Sequence, residues 1–579
     1  MCGIVGVTLE EIGNVKEDLL NPLKRLEYRG YDSVGFALSN GIVEKDVGKI
    51  GSFVKSVEDY QFRNGIGHSR WATHGGITRS NSHPHTSMDK RIFAVHNGII
   101  ENSDEIRHIL ECEGYKFLSE TDSEIIPHYI DSQMSKGKSI NESIESFMNE
   151  IKGTYAVLVM FRGNNNIYAF KKDSPLVLTL TGDRAIVASD AHAFNNISSD
   201  AIFFDDYEYA IISPKDYTFF NRKGAVVSKK LIKVELEEEE EDNQYTWKML
   251  KEINEQPKVA TRLLKSLDGE QRESVDKMAE MIDCADRVVF IACGTSYHAA
   301  LVGGSVLSKM GYDVHHVIAS EFDTFYKVDD RTVIIAISQS GETMDVVTVI
   351  KEAKKKGALI GSIVNTPYST VQRESEVSIN IVAGTEGAVA STKAFTNQVL
   401  VLLEIANRLG ANIDLNEIPK NIQKTIRTND STAKQVADDI SSHEHVFFLG
   451  RGPSYPVARE MALKLKEISY IHAEGMMSGE LKHGSIALID PQTHTPVINL
   501  VSNNDPKMLS CKKEVEARGA RVITVTNTEN GDFTLPASND IDFALYSVII
   551  GQLLSYYTAV KLGRNVDQPR NLAKSVTVH

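Results

Sequence analysis

A chain of 579 residues is longer than one hydrophobic core usually serves, so two to four domains of ~100 to 200 residues are expected. With 42% hydrophobic and 24% charged residues it is neither disordered nor collagen-like, and 63 basic against 78 acidic residues leave a net charge of -15. That balance argues against nucleic acid or an anionic membrane surface as a partner. Five cysteines (Cys2, Cys112, Cys284, Cys293, Cys511) without a C-x-x-C pair support neither a disulfide framework nor a thiolate zinc site, and no targeting segment opens the sequence, so a reduced, cytoplasmic chain is expected.

From Met1 to about Lys233, short β-type runs (Gly3 to Val7, Phe93 to Val95, Tyr155 to Phe161, Ile167 to Phe170, Ala185 to Ala188, Tyr209 to Ile212) alternate with Gly, Asn and Asp clusters. Helical periodicity interrupts them at Glu17 to Leu26 and Ser123 to Met134, which predicts an α+β layered domain over 1–233. An acidic run, Glu235 to Asp242, marks a linker over 234–247. Helices are then expected at Trp247 to Leu267 and Val275 to Ile282.

Beyond them, short apolar runs alternate with helices, as in parallel sheets buried on both faces. An internal repeat runs through this half. Val288 to Tyr297 (VVFIACGTSY) aligns without gaps on Val446 to Tyr455 (VFFLGRGPSY), Val333 to Ser338 answers to Val497 to Ser502, and Gly357 to Thr366 answers to Gly519 to Thr528. Two doubly wound α/β units are predicted, 248–418 and 438–562, followed by a tail over 563–579. Phe543 to Val560 is nearly long enough to span a bilayer, but Gln552, serines, Thr558 and tyrosines dilute it, so a buried helix is expected.

The copies differ after the strand at Val333. Only the first continues with Ser338-Gln-Ser-Gly-Glu-Thr343, small hydroxyl residues and Gly before a helix N-terminus, an arrangement that suits a phosphate dianion. Helix capping alone is the alternative for this loop; the neighbouring Cys293-Gly-Thr-Ser296 loop favours the phosphate. At the other end, removal of Met1 would leave Cys2 with a thiol and a free α-amine of pKa near ~8 that can serve as its own base, an N-terminal nucleophile.

The segments Met1 to Gly6 (MCGIVG), Leu26 to Ser33 (LEYRGYDS), His68 to Gly75 (HSRWATHG), Val95 to Asn102 (VHNGIIEN) and Ser119 to Asp122 (SETD) resemble class II glutamine amidotransferase domains. Ala292 to Tyr297 (ACGTSY), Ser338 to Thr343 and Ala390 to Phe395 (ASTKAF) resemble sugar isomerase (SIS) domains. Both halves in this order, ending in Gln568 to Val578 (QPRNLAKSVTV), are similar to the isomerising glutamine:fructose-6-phosphate aminotransferase family along essentially the whole chain. The resemblance implies an α+β N-terminal-nucleophile domain followed by two SIS domains, with glutamine and fructose 6-phosphate as substrates, no cofactor and a homodimer.

By that resemblance Cys2 attacks the glutamine carboxamide, Asn97 and Gly98 supply oxyanion donors, Arg70 holds the substrate carboxylate with Thr73 and His74 nearby, and Asp122 pairs with its ammonium. Trp71 matches the gate of an ammonia passage. Ser338, Gln339, Ser340 and Thr343 bind the phosphate; Thr295, Ser296, Val389 and Ser391 line the sugar. Lys574 forms the Schiff base, Glu467 shuttles the proton between C1 and C2 with Lys464 assisting, and His483, supplied by a neighbouring protomer, opens the ring. Each has a plainer reading: Asn97-Gly98 as a hairpin turn, Arg70 and Asp122 as surface charges, Trp71 as a buried indole, Lys464 and Glu467 as a helix ion pair. Residues His68, His74, His83, His85 and His96 carry no metal-ligand spacing. Gly384 to Val389 and Ser485 depart from the family pattern. An enzyme acting on another phosphosugar and a sensor without turnover are the rival readings; intact Cys2, Glu467, His483 and Lys574 speak against the sensor.

Overall fold

The computed structural model describes residues 2–235 and 244–576 and, at Phe325, the backbone alone. Met1 and most of the acidic run therefore lie outside the described residues. The chain forms two compact units, Met1–Glu238 with Ala573–His579, and Glu239–Leu572.

In the first unit an eight-stranded and a seven-stranded antiparallel sheet face each other. Alternation of side chains builds the layers. On the strand Gly153–Phe161, Ala156, Leu158 and Met160 join Ile4, Ile66, Leu178 and Val187 of the other sheet, while Tyr155, Val157 and Val159 join Ile125, Ile126, Tyr129 and Phe147 from the helices Ile125–Ser135 and Ile140–Glu150. The second of these helices opens with a capping box between Ser139 and Glu142. Across the eight-stranded sheet, the helical segment beginning at Val15 lays Leu19 and Leu23 over Gly65 and Gly67, where a Cβ would meet them at 2.9 and 3.2 Å. The result is helix, sheet, sheet, helix.

Every expected strand of this half lies within an observed one. The strand Gln61–Arg70 was not expected, because its glycines and polar residues mask a central strand. Its register pairs Ser69 with Gly3, which brings the chain just after Arg70 beside Cys2.

The second unit holds two five-stranded parallel sheets of the same order, 2-1-3-4-5 in chain order. The first strands are Arg287–Ala292 and His445–Gly450, and the third are Thr332–Ser338 and Pro496–Val501. An edge strand, Val314–Ile318 or His472–Met477, intervenes in sequence, so the strand expected as second in each copy is the third along the chain. It nevertheless pairs directly with the first. The chain therefore reverses direction across the sheet between these two strands, and that switch point is where open α/β sheets bind ligands. Both sheet faces are buried: Val289, Ile291, Ile334 and Ala336 pack under the helix Met344–Lys355, and Val288, Phe290, Val333 and Ile335 face a core shared by both repeats.

The stretch between the expected repeats is the helix Ile418–Ile440, which packs on the helices Lys248–Asp268 and Asp540–Lys561. Asp540–Lys561 is long and apolar enough for a membrane by length and composition, but 89% of its apolar window is buried inside the unit. Gln552 is satisfied there by Gln256 at 2.7 Å.

Candidate active site

A pocket in the first unit gathers Cys2, Arg70, Trp71, Thr73, His74, His83, His96, Asn97, Gly98, Thr121, Asp122 and Ser123. All eight residues assigned to glutamine chemistry by resemblance are among them. The Trp71 N–H donates to Cys2 Sγ at 3.3 Å, and Asn97 Nδ2 donates to the Cys2 carbonyl at 2.7 Å. Burial pushes the Cys2 thiol up, while the Trp71 N–H and Arg70 pull the other way. Asn97 and Gly98 lie inside the strand Ile92–Ile100, so they are not a hairpin turn. Asn97 shares the parity of Phe93 and Val95 and looks between the sheets, which is where Cys2 enters.

Arg70 is buried rather than a surface charge. Its guanidinium donates to the carbonyls of His74 at 2.5 Å and of Gly75 and Gly76 at 3.2 Å, so here it shapes the loop that carries Thr73 and His74. Asp122 is also buried, accepting from the Ile100 N–H at 2.8 Å and from Ser123 Oγ at 3.1 Å. Trp71 is half-buried, and Thr73 and His74 are exposed. Sequence reasoning missed Asp32, whose carboxylate accepts from the Ala72 N–H at 2.8 Å and so fixes the backbone beside Trp71. It lies within the Leu26 to Ser33 motif, which was the available signal.

Behind the pocket, His68 stacks on His83 with centroids 4.0 Å apart, His83 meets His85 edge-on, and His68 Nε2 lies 3.0 Å from the His96 carbonyl. Burial lowers all four imidazoles, His68 to about 3, which keeps them neutral.

In the second unit, Ser338 ends its strand at the switch point. Its Oγ accepts from the Gly341 N–H at 3.0 Å and lies 3.2 Å from Thr343 Oγ1, and Ser340 Oγ accepts from the Glu342 N–H at 3.2 Å. The Gln339 carbonyl is held by the Asn365 and Thr366 N–H groups. Thr343 precedes the helix Met344–Lys355 without a side-chain cap bond, so the helix N-terminus is not closed by its own Thr. Gly341 needs its freedom: its φ is +64°, and a Cβ would sit 2.0 Å from Ser369 Oγ.

The helix Ser454–Ser469 of the second repeat packs on the helix Gly294–Met310 of the first. Lys464 Nζ lies 2.6 Å from Glu467, 3.4 Å from Glu460 and 3.0 Å from Thr295 Oγ1. Glu460 accepts from Thr295 Oγ1 at 3.0 Å and lies 2.8 Å from His298 Nδ1. Glu460 and Lys464 are wholly buried, and Glu467 is half-buried. Burial would lower the ammonium, but the two carboxylates outweigh it and raise Lys464; burial would raise Glu460, but Lys464 and His298 outweigh it and hold that carboxyl below its usual range. Glu460 and His298 were missed, although Glu460 stands four residues before Lys464 on the same face.

Ser296 Oγ accepts from Gln398 Nε2 at 3.0 Å, and Ser391 Oγ donates to the buried Glu386 at 2.7 Å. Glu386 also takes the Thr392 and Ala394 N–H groups, while Glu252 takes those of Gly387 and Ala388, so the departing stretch is pinned by two carboxylates. The Val389 N–H donates to the Asp567 carbonyl at 2.9 Å, and the Arg570 N–H to Tyr470 Oη at 2.9 Å, which anchors the start of the tail. His483 is exposed on the short turn Leu481–His483, and Ser485 opens the next, Ser485–Leu488. Lys574 lies beyond Leu572, in the segment that groups with the first unit.

Comparison with known proteins bears on the family and the fold. The family model described as a glutamine amidotransferase domain matches residues 68–196, and the SIS domain model matches 281–408 and 439–562. The glutamine–fructose-6-phosphate aminotransferase [isomerizing] of Aquifex aeolicus is 40% identical over 602 residues, that of Methanothermobacter thermautotrophicus 39% over 598 and that of Thermococcus kodakarensis 38% over 610, each covering 100% of both chains. Among solved structures, the C-terminal domain of glucosamine-fructose-6-phosphate aminotransferase from Francisella tularensis covers 57% of this chain and 100% of its own, with a TM-score of 0.51 and 36% identity. An Escherichia coli tagatose-6-phosphate ketose/aldose isomerase, 17% identical with a TM-score of 0.50, shares the fold. This chain belongs to the glutamine–fructose-6-phosphate aminotransferase [isomerizing] family.

Proposed function

We propose that the chain converts D-fructose 6-phosphate and L-glutamine to D-glucosamine 6-phosphate and L-glutamate in the cytoplasm as a homodimer. One observation supports this above the others: a pocket around Cys2 and a Glu–Lys–Glu cluster that meets Thr295 of the other repeat occur in the same polypeptide.

In this reading Met1 is removed and the α-amine of Cys2 takes the thiol proton as sulfur attacks the carboxamide carbon. Asn97 and Gly98 stabilise the oxyanion, a donor pair of which each member is worth ~100 to 1000-fold. Arg70 exchanges some of its loop carbonyls for the glutamine carboxylate, and Asp122 takes the ammonium. As the adduct collapses, the C–N bond breaks and the α-ammonium returns its proton to the leaving nitrogen, which departs as ammonia; water then hydrolyses the thioester to glutamate. Ammonia passes the Trp71 gate, because in bulk water it would be protonated and no longer nucleophilic.

The phosphate docks on Ser338, Gln339, Ser340 and Thr343 at the N-terminus of the helix Met344–Lys355, with Thr295, Ser296, Val389 and Ser391 along the sugar. His483 of one protomer opens the ring in the site of the other. Lys574 forms the Schiff base with the C2 ketone and expels water; ammonia then adds to C2, a proton passes from the incoming to the departing nitrogen, and Lys574 is released as the free amine, giving a ketimine. The anchoring of Asp567 and Arg570 supports this role, since four residues keep Lys574 within ~14 Å of Arg570. Glu467 moves the proton between C1 and C2. Lys464 pairs with Glu467 at 2.6 Å, and Glu460 with Thr295 orients Lys464. Neither a redox group nor a metal enters these steps.

The test mixes purified protein, fructose 6-phosphate and amide-labelled glutamine, and label is expected in the amino sugar. Unlabelled product, or none, would overturn the reading. Mass spectrometry of the purified chain should find Met1 absent; its retention would leave no working α-amine at Cys2.

A further inference from the structure

The two repeats invite a direct comparison of their switch points. Continuing the alignment from Ser338 and Ser502 sets Gly341 against Asp505, and the first strands set Cys293 against Arg451. In the first repeat the helix after the loop begins at Met344 with no side-chain cap bond. In the second, the corresponding helix Pro506–Glu516 is capped by Asp505, whose Oδ1 accepts from the Lys507 N–H at 2.8 Å. Its Oδ2 accepts from Arg451 Nη1 at 2.7 Å, the arginine rising from the neighbouring strand end at His445–Gly450.

A carboxylate thus stands where a helix N-terminus and a guanidinium converge, the chemistry that would otherwise attract an external dianion. The rest of the loop is also committed to its own neighbours. Ser502 Oγ and Asn503 Nδ2 both donate to Asp540, and Asn504 Oδ1 accepts from Thr528 Oγ1. In the first repeat the matching Ser338 and Ser340 hydroxyls turn to N–H groups inside their own loop.

We infer that Asp505 is a built-in occupant of the second repeat's anion position, locked by Arg451. The duplicated fold offers two phosphate cradles, and the chain's own carboxylate closes one. Only the expected baseline, phosphate bound at the first repeat, rests on the function proposed above.

Equilibrium dialysis of the full chain against radiolabelled inorganic phosphate tests this, with the difference between variants as the readout. Asp505→Ser keeps an oxygen for the Lys507 N–H but removes the charge, and it should bind one further equivalent of phosphate relative to the unaltered chain. Adding Arg451→Ala to that variant should remove the gain. Asp505→Asn, which preserves the cap more closely, should show the same gain if the serine variant folds poorly by circular dichroism. Folded variants that bind no more phosphate than the unaltered chain would overturn the inference, as would loss of phosphate from the unaltered chain on Arg451→Ala alone. An unaltered chain that binds no phosphate would refute the first-repeat cradle while leaving the gain measurable.

Discussion

At Gly98 the backbone has a φ of +139°, and a Cβ there would lie 2.0 Å from the Thr154 carbonyl. No rotamer relieves an overlap between Cβ and backbone, so Gly98→Ala must move the strand that carries Asn97. Glutamine hydrolysis should fall at least ~100-fold, the scale of one lost oxyanion donor, and a steady-state glutaminase assay reads this directly. Lys464 poses the opposite problem, a charge whose loss strands its neighbours. Lys464→Met leaves Glu460 fully buried beside Glu467 without the cation between them, and breaking such a pair costs about 3 to 5 kcal/mol. Denaturant unfolding should report that loss in the second unit, with amino-sugar formation abolished. Unchanged stability would mean that Glu460 takes up a proton instead.

Among the elements, the Ser338–Thr343 loop joins a strand to a helix at the proposed phosphate seat. Gly341→Ala forces the Ser338–Thr343 loop off Ser369 and should raise the KM for fructose 6-phosphate about tenfold, equivalent to ~1.4 kcal/mol, while glutamine hydrolysis without sugar is unchanged. The strands that carry the buried histidines give the first unit a pH response. His68 is held at about 3 by burial, against ~6.5 in an unfolded chain, and His83, His85 and His96 are lowered by the same cause. Between those values the unfolded chain binds protons that the folded chain refuses, so stability is full above ~6.5 and declines as pH falls toward about 3. Calorimetry should find a lower Tm for this unit at pH 5 than at pH 7; an equal Tm would show that the stack protonates in place. Strands that are continuous apolar runs, such as Gly153–Phe161, were legible in the sequence. Gln61–Arg70 was not, because its glycines serve the helix packed on them rather than the strand's own propensity.

Over the whole molecule, the two chemistries should come apart by mutation. Cys2→Ala should abolish glutamine use yet leave some isomerisation of fructose 6-phosphate, and Lys574→Ala should do the reverse; loss of both activities by either change would contradict separate sites. The duplication was readable from three aligned strand segments, and the structure supports it with two sheets of one order. What the alignment could not reveal was that Glu460 and Lys464 belong with Thr295 and His298, because that contact spans more than 160 residues and depends on how two helices meet. The helix Ser454–Ser469 thus ties one repeat's ionisable groups to Thr295 and His298 of the other. Because these groups come from both halves, removing either repeat would leave Glu460 and Lys464, or Thr295 and His298, facing a void where their partners stood, so the two sheets stand or fall as one folding unit.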